Sequence, residues 1–344
     1  MTLAEVVAAV MFVGITLYAV LAGADFGAGF WDLTAGDARR GAPQRALIEE
    51  SIAPVWEANH VWLIFVLVVL FTAFPRAFAP IMSTLYIPLT GAAVGIILRG
   101  SAFAFRKASD TLPSQRMFGA TFALSSVITP YFLGAVAGGV ASARVPAGTT
   151  TGNVITSWCN PTSVLGGVMA IVVCAFLASV YLAADARQRG REALEHAFRV
   201  RALAAGVVAG VVAFAGVFVL HHDAPDLFHG LTHRGAPLIA LSAAAGVATL
   251  VLVARGAVRV ARYVAPLAVV AVVWGWGAGQ YPWLLFDRLR INDGAGAHAT
   301  LVALLGAVAV GAVLLVPSLW WLLTLTERGA LAAAHEERPE PAEA

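Results

Sequence analysis

The chain has 344 residues, of which 60% are hydrophobic and only 12% charged, about half the charged share of an ordinary soluble domain. That composition excludes a water-soluble globular protein. A formal net charge of +2 supplies no electrostatic footprint for nucleic acid or an acidic partner, and what remains is a protein built for the membrane.

A bilayer core of about 30 Å needs about 20 mainly apolar residues per helix, because the backbone must satisfy its hydrogen bonds within the segment. About nine runs meet this requirement, over 3–30, 56–74, 82–105, 118–140, 164–182, 203–220, 238–253, 264–280 and 300–325. No strand-period pattern competes with them, so the expected fold is an all-α polytopic membrane protein. Its transmembrane domain covers 1–326, followed by a charged, Pro-rich tail over 327–344 that reads as disordered. The first run is too long, and its end too rich in Gly and acids, for a cleaved signal peptide, and is read as the first span. Trp31, Trp56, Trp274, Trp276, Trp283, Trp320 and Trp321 lie near span ends, where indole rings act mostly as interface anchors.

Basic residues set the expected orientation. Most of the 22 Lys and Arg fall in the connections after spans one, three, five and seven and in the tail, leaving Arg76, Arg144, Arg234, Arg288 and Arg290 on the other side. By the positive-inside rule the N-terminus is outside and the C-terminus cytoplasmic, as an odd number of spans requires. The connections hold no soluble domain of useful size. The segment HHDAPDLFHGLTHRG collects His221, His222, His229 and His233 beside Asp223 and Asp226, but in no zinc spacing. Cys159 and Cys174, fifteen residues apart, read as packing residues rather than a disulfide.

An ionisable side chain inside a span costs at least about 2.5 kcal/mol and marks a pathway or a pair. Asp25 sits in GADFGAG with Asp32 seven residues on, Glu57 opens the second span with His60 one turn later, and Arg99 lies late in the third. Asp25, Gly29 and Asp32 recur at i, i+4 and i+7 on one helix face, and Glu57 and His60 share another. A buried carboxylate resists ionisation and can then exchange a proton near neutrality. Spacing alone leaves a proton relay and a structural pair with Arg99 both open. His60, without a second intramembrane ligand in view, reads as hydrogen-bonded structure rather than a haem or metal ligand.

The blocks GADFGAGFWDLTAG and SIAPVWEANHVWLIF, followed by FPRAFAP, LRGSAFAFR, SSVITPYFLG, DLFHGLTHRGAPL and QYPWLLFDRLRINDGA, closely resemble subunit II of cytochrome bd-type quinol oxidases over nearly the whole chain. The resemblance implies a bacterial plasma (inner) membrane complex that couples quinol oxidation to reduction of dioxygen to water. It further implies that the b-type and d-type haems are held by a partner subunit I in a heterodimer, with a small single-helix subunit as a further candidate partner, while this subunit binds no haem. Relatives can carry Gln where this chain has His60. The resemblance assigns Glu57, with Asp25 nearby, to a proton path from the cytoplasm; on the residues themselves Asp32 joins that path, with Trp56, Asn59, His60 and Arg99 in support. Many relatives place a carboxylate where this chain has Ala104, so Asp32, water or another group must serve there. Two rivals remain: a proton-coupled secondary transporter, which shows broken helices in matched halves and a midplane site, and a scaffold that only stabilises subunit I.

Overall fold

The computed structural model describes residues 1–37, 39–52, 56–109, 111–148 and 151–327; the tail from 328 on lies outside the described residues. The chain divides into two units, Met1–Ala295 and Gly296–Ala344. Among the described residues eight helices are long and apolar enough to cross a membrane, or nine if one bent pair is counted as a single span.

Helix α1 (Leu3–Leu33) starts at a capping box in which Thr2 Oγ1 accepts from the Glu5 amide and the Glu5 carboxylate accepts from the Thr2 amide. Such reciprocal capping satisfies two of the amides that a helix start leaves open. At 31 residues the helix is about 46 Å long, so it reaches past the hydrocarbon at one end or both. It packs against α3 (Trp56–Ala73), α6 (Leu112–Ala141), α7 (Pro161–Gln188) and α11 (Val258–Gln280). Close approach to α7 depends on Gly27, where any Cβ would overlap the Cys174 carbonyl.

Four features add to the sequence reading or depart from it. The first connection contains a helix, α2 (Ala42–Ile52), which buries Leu47 and Ile48 in the core. The second span stops at Ala73: Phe74 leaves helical geometry, Pro75 opens α4 (Pro75–Thr84), and the two helices meet at 119°. Pro favours a first helical turn and disfavours continuation of the helix before it, so FPRAFAP turns the chain, and α5 (Tyr86–Ala108) begins a fresh span. The His-rich segment is helical, with α8 (Glu192–Asp223) running into His221 and His222 and α9 (Pro225–His233) carrying His229 and His233. α10 (Ala236–Ala254) and α11 follow. A hairpin of β1 (Trp283–Leu285) and β2 (Leu289–Arg290), which period-two reasoning did not find, then leads to α12 (Ile291–Gly294). The second unit is described by α13 (His298–Glu327).

Long-range polar contacts tie the connections of the first unit into two ends. At one end, Glu50 on α2 accepts from Arg189 at 2.6 Å and Arg191 at 2.9 Å, and Arg199 donates to the last carbonyls of α10 at Val253 and Ala254. At the other, Arg144 makes a two-pronged contact with Asp223 at 2.7 and 3.1 Å, and Thr162 Oγ1 donates to the same carboxylate at 2.6 Å. There too Tyr281 donates to Glu5 at 2.9 Å, a bond that raises the phenol above its ordinary pKa. The loops that carry most of the arginines therefore share one end of the unit, as their alternation along the chain requires.

Candidate functional site

Asp25 lies on α1 and Arg99 on α5, 5% and 1% exposed respectively. Arg99 Nη2 reaches Asp25 Oδ1 at 2.6 Å and Nη1 reaches Oδ2 at 3.0 Å, a bidentate pair, while Nη2 also donates to the Asp25 carbonyl at 3.2 Å. Its Nε donates to Ser126 Oγ on α6 at 2.9 Å, and that hydroxyl donates on to the Phe122 carbonyl at 2.7 Å. The guanidinium lies between the Phe26 and Phe122 rings, 5.0 and 4.9 Å from their centroids. Two planar hydrogen bonds and two ring faces offset the desolvation of a buried ion pair better than a single contact would. Gly29, one turn beyond Asp25, leaves room for Ser126, whose hydroxyl a Cβ there would overlap.

Asp32 shares the same face of α1 but belongs to a different network. Its carboxylate is 3.2 Å from Arg106 Nη1 on α5 and 3.2 Å from Arg45 Nε on α2. Arg45 is held by the Gly36 and Asp37 carbonyls at 2.7 and 3.0 Å. Asp32 Oδ1 accepts no hydrogen bond among the described residues, because the Arg45 approach lies off the donor direction. The residue is on the wall of an open cavity of about 700 Å³ at the arginine-rich end, lined also by Glu49, Arg106, Gln115 and Arg116. One carboxylate of the pair is thus saturated by a single arginine, and the other retains acceptor capacity beside a space that water can fill.

The sequence leaves Asp25 and Glu57 both open as partners of Arg99, and Asp25 pairs with it. The side chains of Trp56 and Glu57 lie outside the described residues; the Glu57 backbone is in the first turn of α3. Asn59, 5% exposed, donates weakly to the Leu21 carbonyl at 3.4 Å. The His60 ring lies 6.0 Å from Phe26 and 6.2 Å from Tyr18. Trp31, expected at the lipid interface, is instead 9% exposed and donates to the Ala175 carbonyl of α7 at 2.8 Å. Its own carbonyl accepts from Gln44 at 2.6 Å, because α2 folds back over the end of α1 and covers it.

Sequence reasoning missed Arg45, Arg106, Ser126 and Phe122. The two arginines had been read only as markers of orientation, and Ser126 stood in a quoted block, SSVITPYFLG, without a role. Their signal is proximity across 74 residues for Arg106 and Asp32, which helix periodicity does not carry. Among the described residues no group of three or more His, Cys, Asp or Glu is placed to hold a metal ion; His229 and His233 stack at 3.9 Å on α9.

Long apolar helices around charged pairs that one face of α1 shares with α2 and α5 define a multi-pass membrane protein with buried ion pairs between its helices. The sequence profile described as Cytochrome bd terminal oxidase subunit II matches residues 3–326, and the chain belongs to that family. It is 30% identical over 170 residues to cytochrome bd ubiquinol oxidase subunit 2 of Bacillus subtilis, covering 49% of this chain and 48% of that one. It is 28% identical over 223 residues to cytochrome bd-I ubiquinol oxidase subunit 2 of Escherichia coli, covering 61% and 56%. The chain spans about half the length of these two relatives. The fold is similar to that in the structure of bd oxidase from Geobacillus thermodenitrificans, with a TM-score of 0.74 at 24% identity over 94% of this chain and 98% of that one.

Proposed function

We propose that the chain is the haem-free subunit II of a bacterial quinol oxidase of the bd type, inactive alone and paired with a haem-bearing subunit I, in which quinol is oxidised and dioxygen reduced to water. In this reading the arginine-rich end is cytoplasmic, by the positive-inside rule. Protons enter through the cavity beside Asp32, and Glu57, at the start of α3, passes them toward the partner. The carrying observation is the Asp32 carboxylate: 4% exposed, facing that cavity, and with Oδ1 accepting no hydrogen bond among the described residues. Asp32, whose partner Arg106 lies two residues beyond Ala104 on α5, takes in this scheme the part of the acid that relatives carry there. Asp25 is better suited to holding the helices together than to moving protons, since both its oxygens accept from Arg99. That bidentate pair is the one observation that favours the scaffold reading, and it favours it for Asp25 alone.

The test is quinol-driven oxygen uptake by the complex co-expressed with subunit I, with haem spectra read for each variant. Asp32→Asn and Glu57→Gln are each expected to lower turnover by about 100-fold, the lower end of what a positioned proton-transfer group contributes, with the haems retained. Wild-type uptake in both variants would leave only the scaffold reading.

A further inference from the structure

The face of α1 that carries Asp32 and Asp25 continues a further seven residues to Tyr18. Seven residues advance a helix by about 10.5 Å and rotate it by only about 20° from two full turns. Tyr18, Asp25 and Asp32 therefore form one stripe about 21 Å long, some two-thirds of a hydrocarbon core of about 30 Å. A structural ion pair at Asp25 has no need of a polar group one step deeper.

Around Tyr18 the structure is apolar. Its ring meets Phe26 edge-on at 6.4 Å and His60 at 6.2 Å, and it packs with Ile96 against Ala22, Phe26 and Cys174. Its hydroxyl oxygen is buried and has no hydrogen-bond partner among the described residues. A Phe would fill the same space without the cost of about 1–3 kcal/mol that a buried hydroxyl incurs when unsatisfied. Phe26 connects this ring to the ion pair, since it also meets the Arg99 guanidinium, 5.0 Å from its centroid.

We propose that the Tyr18 hydroxyl is a proton-conducting group, the next polar group beyond the Asp25–Arg99 pair on the stripe, served by ordered water that passes that pair and reaches the His60 side of α3. This rests on the proton-path reading above. A gap of about 10.5 Å is bridged by about three waters at hydrogen-bond spacing. The phenol is suited to such a chain because its one oxygen accepts and donates together. A proton arriving from one water forms a new O–H bond at the phenolic oxygen as the original O–H bond breaks and its proton passes to the next water. The phenol is neutral before and after, and rotation about its C–O bond resets it, with no electron transferred.

The experiment uses the purified complex with subunit I and compares wild type, Tyr18→Phe, Tyr18→Gln and Asp32→Asn for quinol-driven oxygen uptake in light and heavy water. Tyr18→Phe removes only an oxygen that no described residue bonds. It is expected to lower kcat about threefold or more, less than the loss of a direct acid because water can partly replace it. KM for quinol and the haem spectrum should not change, and the solvent isotope effect should rise. Tyr18→Gln restores a donor and an acceptor and should recover part of the rate. A Phe variant with wild-type kcat and isotope effect, or a Gln variant no faster than Phe, overturns the assignment of Tyr18. If Asp32→Asn is slow in that same outcome, the cavity route survives without Tyr18; if it too matches wild type, both fall.

Discussion

Arg99→Met is expected to destabilise the protein by about 3–5 kcal/mol, the cost of leaving a buried charge without its partner. Asp25 would keep its position, because α1 is fixed by its contacts with α3, α6 and α7, but it would lose every donor that Arg99 supplied. Asp25→Asn/Arg99→Met, which removes both charges, should recover much of the loss, since a buried ion pair replaced by neutral groups of similar volume is often tolerated. The measurement is the thermal unfolding midpoint of the detergent-purified complex for the two single variants and the double. Equal midpoints for Arg99→Met and wild type would show that the pair does not hold the helices, and would return Asp25 to the candidates for proton transfer.

The second large effect is expected at Gly27. A Cβ there meets the Cys174 carbonyl carbon and oxygen on α7, and neither helix backbone can turn aside as a side chain could. Overpacking commonly costs about 1–3 kcal/mol, and Gly27→Ala should lie at the upper end. Separating α1 from α7 also stretches the Trp31 Nε1 hydrogen bond to Ala175, one residue along from Cys174. Gly23→Ala is the control, because a Cβ there would sit 3.5 Å from Leu177 Cδ1, an ordinary contact. Yield of membrane-inserted protein and tryptophan emission together test this: Gly27→Ala should lower the first and red-shift the second, and Gly23→Ala should do neither. If the two variants behave alike, close helix packing at Gly27 is not what sets the α1–α7 distance.

The spans were legible because lipid imposes a composition that no other environment asks for, and the apolar runs mark the hydrocarbon directly. Helix ends were less so. α8 runs from Glu192 to Asp223, well beyond its apolar stretch, because a helix entering water or a polar interface has no reason to stop where hydrophobicity does. α2 was missed for a different reason: APQRALIEESI is neither apolar nor strongly periodic, and its place is fixed by Glu50 reaching arginines 139 and 141 residues away. The candidate site divides in the same way. Asp25 and Asp32 could be placed on one face by counting, since that relation is local to α1. Which arginine answers each acid could not, since Arg99 and Arg106 each lie 74 residues from their partner and periodicity is silent about which helices become neighbours.

That sequence separation has a consequence for how the protein is made. Ribosomes add about 5–20 residues per second, so with 74 residues between them Arg99 emerges roughly 4 to 15 seconds after Asp25. For that interval Asp25 lacks its counterion, at a cost of about 2.5–3.5 kcal/mol if placed at the centre of lipid, while Asp32 already has Arg45, 3.2 Å away in the folded protein. The first helix therefore has reason to wait at the insertion site, or with its acidic end still in water, until α5 arrives. Insertion of this half of the molecule is then a cooperative event among α1, α3 and α5 rather than the addition of one finished helix after another.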